Sequence, residues 1–215
     1  MHFERQRSRM VERQLRRRGI SDARVLAAMA EIPRELFVDH RHARRAYADS
    51  ALPIGERQTI SQPWVVAAIC EALALAGDER VLEIGTGSGY STAILAQLAR
   101  EVVSVERIAG LAAQARARLA ELGVANVSVR VADGSLGAPE QAPFAAIAVH
   151  ACAPAAPASL LAQVEPGGRM VLPIADRGAD TLTLLVRTGD DLDPRTGAGV
   201  ERTAIAPCRL SLIHI

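Results

Sequence analysis

Three glycines two residues apart, Gly85, Gly87 and Gly89, follow the mostly apolar run from Arg80 to Ile84. A strand that turns through such a loop into a helix at about Tyr90 lets the backbone pass close to a nucleoside, and the helix N-terminus adds oriented N–H donors. Thr86 and Ser88 stand between the glycines. A dinucleotide fingerprint would need a further glycine where Tyr90 stands, so the G-x-G-x-G spacing points to S-adenosylmethionine more than to NAD. Glu106 closes the next apolar run, Val102 to Val105, about twenty residues beyond Gly85, where a carboxylate accepts both ribose hydroxyls of either cofactor. Asp133-Gly134 follows the run Val127 to Val131. Asp133 could accept from an adenine amino group; equally, an Asp before Gly is an ordinary turn cap. Glu83 sits inside the first strand, where a buried carboxylate needs a partner: the loop itself, or the ammonium of a bound methionine moiety.

A second group of polar residues precedes this loop: Gln58, Thr59, Ile60, Ser61, Gln62, Pro63 and Trp64, followed by an apolar helix from Val65 to Leu75. Ser61 reads as its N-cap, with Pro63 in the first turn, where a missing N–H costs nothing. The same helix end attracts a carboxylate. Gln58, Thr59 and Ser61 would surround that anion, with Trp64 as an apolar wall. A carboxylate, with a reference pKa of about 4, is ionised at neutral pH and is already a nucleophile, so no general base is required.

These residues need a scaffold, and strand–helix alternation supplies one. Strands are predicted over 80–84, 102–105, 127–131, 145–149, 169–173 and 181–187, with helices between them, the clearest from Ile108 to Leu122. Gly189 to Gly199 reads as a hairpin or loop. Such alternation implies an α/β fold with a mostly parallel central sheet and helices on both faces. Ligands in such sheets bind beyond the carboxyl ends of the strands, so the Gly85 turn, Glu106, Asp133 and His150 should converge on one crevice. Residues 1–52 read as an N-terminal helical segment packed on a catalytic domain of 53–207, with an atypical tail over 208–215. Ser21-Asp22 offers a helix start before Val25, Leu26 and Met29, and Ile32-Pro33-Arg34-Glu35 breaks and restarts the helix. The run Arg16-Arg17-Arg18 before Gly19 reads as a solvated helix C-terminus.

Composition narrows the classes. The 215 residues carry a net charge of +1 and are 49% hydrophobic, with no field to attract nucleic acid or a membrane surface. Cys70, Cys152 and Cys208 are scattered without metal-ligand spacing, so no metal and no disulfide framework is expected. No run approaches the roughly 20 apolar residues of a membrane span, and the basic N-terminus lacks a signal-peptide core. A cytoplasmic setting is expected.

The chain resembles the protein-L-isoaspartate O-methyltransferases. The resemblance rests on Met10 to Leu15, Pro33 to Val38, Leu52-Pro53-Ile54-Gly55, Gln58 to Pro63, Val81 to Tyr90, Val105-Glu106-Arg107-Ile108, Asp133-Gly134, Ala142-Pro143-Phe144 and Gly167-Gly168-Arg169. The glycine loop is shared by many methyltransferases; Thr59-Ile60-Ser61-Gln62-Pro63 is far more specific. The resemblance implies a Rossmann-like S-adenosylmethionine-dependent methyltransferase fold. It implies methyl transfer to the free carboxylate of L-isoaspartyl residues in damaged proteins and peptides, leaving S-adenosylhomocysteine. By the same resemblance Ser61 is the active-site residue. Gln58, Thr59, Ile60, Gln62 and Trp64 contact substrate. Glu83, Gly85, Thr86, Gly87, Ser88, Gly89, Glu106, Arg107, Asp133 and Gly134 hold the cofactor. A monomer acting without nucleic acid is expected. Three features depart from the family pattern: Arg57 where glycine is usual, His150 where a small residue is usual, and the ending from Cys208. A related methyltransferase with another acceptor and a non-catalytic relative that only binds cofactor are the alternatives.

Overall fold

The computed structural model describes residues 2–175, 180–193 and 195–208. The tail expected to be atypical lies outside the described residues from 209 onward, but Cys208 closes the last strand, opposite Asp180.

The N-terminal segment is helical in pieces. Helix α1 (His2–Met10) runs into a π-turn, Val11–Leu15, and a 3-10 turn, Arg16–Arg18, that ends on Gly19 at φ 96°. Asp22 caps α2 (Ala23–Glu31) by accepting from the N–H groups of Arg24 and Val25. Pro33 then allows only a 3-10 turn, Arg34–Phe37, followed by another, His40–Arg45. A two-stranded hairpin follows, β1 (Leu52–Gly55) with β2 (Gln58–Ile60), and leads into α3 (Pro63–Leu73).

The main sheet holds seven strands: β3 (Arg80–Ile84), β4 (Glu101–Glu106), β5 (Val127–Val131), β6 (Phe144–Val149), β7 (Val164–Ile174), β8 (Asp180–Arg187) and β9 (Val200–Cys208). Their order is β5-β4-β3-β6-β7-β8-β9. The first five are parallel, and β8 and β9 close the edge antiparallel. The strand order therefore reverses between β3 and β6 while the strands stay parallel, which makes this the switch point at which open α/β sheets bind ligands.

Alternation along each strand divides the core. Val81, Val102, Ala146 and Val171 face a cluster with α3, α4 (Tyr90–Leu98), α5 (Ala109–Glu121) and the N-terminal segment. Leu82, Val103, Ile147 and Met170 face the other way, toward Phe144, Leu160 and Leu161. The two faces are unequally covered. The second carries α6 (Ala158–Leu161) and, between β5 and β6, only the 3-10 turns Gly134–Leu136 and Pro139–Gln141 in place of the expected helix. Gly134, Gly137, Pro139 and Pro143 leave too few uninterrupted residues there for a longer helix.

Candidate functional site

Strand ends, the β1–β2 hairpin and the glycine loop enclose one cleft. It holds about 810 Å³ of space counted out to its open mouth. The Gly85 turn, Glu106, Asp133 and His150 all line it, as the strand ends required.

The loop is built by backbone need. Gly85, Gly87 and Gly89 all have positive φ, at 94°, 54° and 89°. Gly89 caps α4 and faces away from the cleft: a Cβ there would stand 3.2 Å from Cβ of Ala115 on α5. Gly134 is required by close approach, since a Cβ would meet Ile84 Cγ2 at 2.6 Å. Thr86 is tied down through a hydroxyl chain, its Oγ1 lying 2.5 Å from Ser104 Oγ, which in turn donates to Glu83 Oε2 at 2.6 Å.

Glu83 itself is wholly buried and lies behind the cleft. Hydroxyls of Ser91, Thr92 and Ser104 donate to it, and His150 Nε2 lies 3.3 Å from Oε1. These bonds tie it to the strand and helix that flank the loop. A buried carboxylate that accepts three hydroxyl protons is satisfied within the fold.

Glu106 is almost buried at the end of β4. Its Oε2 accepts from Gly87 N and its Oε1 from Ile108 N, each at 2.9 Å. Each oxygen keeps lone-pair capacity for a ribose hydroxyl. Asp133 does cap its turn: Oδ1 accepts from Ser135 N at 2.9 Å and Ser135 Oγ at 2.8 Å. Those bonds hold its carboxyl below the usual carboxylate range, with Arg107 adding to the effect. Among the described residues Oδ2 has no hydrogen-bond partner, so the turn cap leaves an acceptor oxygen on the cleft side chain.

On the opposite wall stand Gln58, Thr59, Ile60 and Ser61. Gln58 Oε1 is buried without a hydrogen-bond partner. Ser61 Oγ makes no hydrogen bond among the described residues, and the residue is not the N-cap of α3. That position belongs to Gln62, whose side chain makes no capping bond, with Pro63 at the first helical position. Pro63 has no N–H to be capped, and the chain turns into the helix one residue later than the serine cap required. The helix ends earlier than expected, on Ala74 at φ 48°. Gln62 and Trp64 do not line the cleft. Trp64 turns outward, its Nε1 donating to Arg18 O at 3.3 Å under the Arg18 guanidinium. Arg57 stands at φ 58° in the hairpin turn, beside Glu56 at φ 49°.

Val66, Ser91 and Ala151 line the cleft without having carried a sequence signal, while Tyr90, Val105 and Ile108, which complete the walls, were marked only by their place in the quoted motifs. Arg34, outside the cleft, donates from Nη2 to Ser61 O at 2.7 Å. Its place in the Pro33–Val38 motif was the only hint of it. The donor set fits S-adenosylmethionine: two carboxylates for hydroxyl and amino groups, a glycine-built cradle and an unpartnered buried acceptor.

Comparison with known proteins shows what the chain is similar to. A family model described as protein-L-isoaspartate(D-aspartate) O-methyltransferase matches residues 5–200. A protein-L-isoaspartate O-methyltransferase of Syntrophus aciditrophicus is 51% identical over 191 residues, 89% of this chain and 88% of that one. One from Anaeromyxobacter dehalogenans is 57% identical over 174 residues, 80% of this chain and 83% of that one. A solved protein-L-isoaspartate O-methyltransferase superposes with a TM-score of 0.82 at 28% identity, covering 96% of this chain and 65% of that one. A Plasmodium falciparum β-aspartate methyltransferase structure in complex with S-adenosyl-L-homocysteine gives a TM-score of 0.81 at 20% identity, covering 96% and 97%, a likeness of fold alone.

Proposed function

The chain belongs to the protein-L-isoaspartate O-methyltransferase family, and we propose that Ser61 and the glycine loop divide its reaction between substrate and cofactor. It is an S-adenosylmethionine-dependent enzyme that methylates isoaspartyl residues in protein repair. The observation that carries the residue assignment is that Ser61, Gly85, Glu106 and Asp133 line one cleft. When bound, S-adenosylmethionine supplies an electrophilic methyl group on a sulfonium sulfur.

The chain's own groups then align and select. Asp133 Oδ2 would hold the adenine amino group and Glu106 the ribose hydroxyls, and the backbone of Gly85 to Ser88 and Arg107 would hold the rest of the cofactor. Ser61 Oγ donates to one oxygen of the substrate carboxylate and leaves the other free to attack. Too many donors would blunt that oxygen, and one free hydroxyl suits the task. Gln58 Oε1 accepts a peptide N–H next to the isoaspartyl residue, while Thr59 and Ile60 form the floor. The substrate arrives ionised, so the absence of a base beside Ser61 is no handicap. Holding two reactants in line can account for roughly 7–11 kcal/mol of barrier reduction.

We place the enzyme in the cytoplasm as a monomer acting on proteins and peptides, without metal; among the described residues no helix is long and apolar enough to cross a membrane. A labelled-methyl assay on matched isoaspartyl and aspartyl peptides tests the function. Label on the isoaspartyl peptide alone supports it; label on neither, or equally on both, overturns it.

A further inference from the structure

His150 stands where β6 meets β3 at the switch point. Its N–H donates to Ile84 O at 2.9 Å, and its Cβ lies 3.4 Å from where a side chain on Gly85 would begin. The residue is 8% exposed and lines the cleft.

Its protonation pattern follows from its neighbours. Glu83 can only accept, and Ser91 Oγ gives its single proton to Glu83 Oε1. The 2.6 Å contact between Ser91 Oγ and His150 Nε2 therefore runs from Nε2–H to the serine oxygen. A neutral imidazole protonated at Nε2 carries a lone pair on Nδ1, and Nδ1 has no hydrogen-bond partner among the described residues.

We propose that His150 Nδ1 accepts a hydrogen bond from the ammonium at the methionine end of S-adenosylmethionine, which makes His150 a cofactor-positioning residue. The inference rests on the cofactor reading above. Sign and place select the ammonium. The substrate carboxylate has only acceptor oxygens, which a lone pair backed by the Glu83 charge repels. Contact with Gly85 puts His150 on the loop side of the cleft. Glu83 is sealed from the cleft, so its charge acts there through Ser91 and His150. Glu83 on β3 faces the ring, its Oε1 3.3 Å from Nε2; the other titratable groups lining the cleft are Tyr90, Glu106, Arg107 and Asp133.

The test is calorimetric binding of S-adenosylhomocysteine and of 5′-methylthioadenosine, which lacks the amino-acid end. Both are titrated into the unaltered chain, His150→Asn and His150→Gln, at one mildly alkaline pH. Asn sets an amide oxygen near the Nδ1 position; Gln reaches the Nε2 position and offers no acceptor at Nδ1. The Gln variant should bind S-adenosylhomocysteine roughly tenfold more weakly, with methylthioadenosine unchanged, and Asn should restore most of the loss. Equal weakening of both ligands, or unchanged binding with a raised KM for isoaspartyl peptide, overturns the proposal. Independently of any substitution, the nitrogen-15 resonance of Nδ1 in the unaltered chain should shift with S-adenosylhomocysteine and not with methylthioadenosine; no difference overturns it. An unaltered chain that binds neither ligand removes the cofactor reading itself.

Discussion

The guanidinium of Arg34 donates from Nη2 to the carbonyl oxygen of Ser61 at 2.7 Å and from Nε to that of Ala46 at 2.7 Å. The side chain is wholly buried, its Cζ 4.8 Å from the centre of the Tyr90 ring, and Nη1 has no partner. Burial pushes its pKa down to about 10, with Tyr90 and Tyr47 opposing the effect. Arg34 thus ties the 3-10 turn of the N-terminal segment to the residue that opens the substrate wall.

Arg34→Met leaves two carbonyls without their donor. At about 1–3 kcal/mol for each buried unsatisfied group, the loss should be roughly 2–6 kcal/mol, or a Tm lower by at least about 4 °C for a chain of this size. Cofactor affinity should change less than kcat, because the glycine loop is untouched. Thermal unfolding and calorimetric binding of S-adenosylhomocysteine check both; a full-strength kcat would remove the positioning role.

Ser61→Ala should lower kcat by roughly ten- to a hundredfold, the usual cost of a lost orienting donor, and leave S-adenosylmethionine affinity unchanged. Ser61 Oγ supports no other part of the fold, so Tm should stay within about 1–2 °C, as for a substitution that breaks no internal contact. Steady-state kinetics on an isoaspartyl peptide decide it, and an unaltered kcat would disprove the assignment.

Glu56 and Arg57 occupy the two central positions of a two-residue hairpin turn, both with positive φ. Such a turn favours Asn-Gly, because a side chain in this region costs about 1–2 kcal/mol per residue. Arg57→Gly relieves that strain at some cost in unfolded-chain entropy. The net should be a gain of roughly 0.5–1 kcal/mol, read as a Tm rise of a few degrees. Activity that falls with the substitution would show that the guanidinium contacts substrate.

Burial raises the Cys208 thiol from 9.0 to about 11, and burial with a bond to Asp180 raises Cys152 from 9.0 to about 12. Between about 9 and 10 the unfolded chain has released these protons and the folded chain has not. The folded state then binds more protons, so stability falls as pH rises. Arg34 acts in the opposite sense only above about 10, where the folded chain loses its proton first. Tm should therefore decline from pH 8.5 to 10, and Cys152→Ser with Cys208→Ser should flatten the decline; an unchanged slope would refute the account.

The site shows where sequence suffices and where it stops. A strand, a glycine turn and a helix start are local properties, set by alternation and by φ restrictions on a few neighbouring residues. That is why the Gly85–Gly89 loop, Glu106 at a strand end, Asp133-Gly134 and a mostly parallel sheet are legible in the sequence. The same locality explains Asp133, where the turn cap is legible in the dipeptide itself. Other outcomes depend on residues far apart in the chain. Trp64 left the cleft because Arg18, 46 residues earlier, offers a carbonyl and a cation. Glu83 was sealed behind the loop because Ser91, Thr92 and Ser104 bring their hydroxyls to it from α4 and β4. Ser61 lost the helix cap and gained Arg34 through a bond spanning 27 residues. Periodicity fixes which face of an element is apolar; only the packing of those faces decides which polar groups meet behind them.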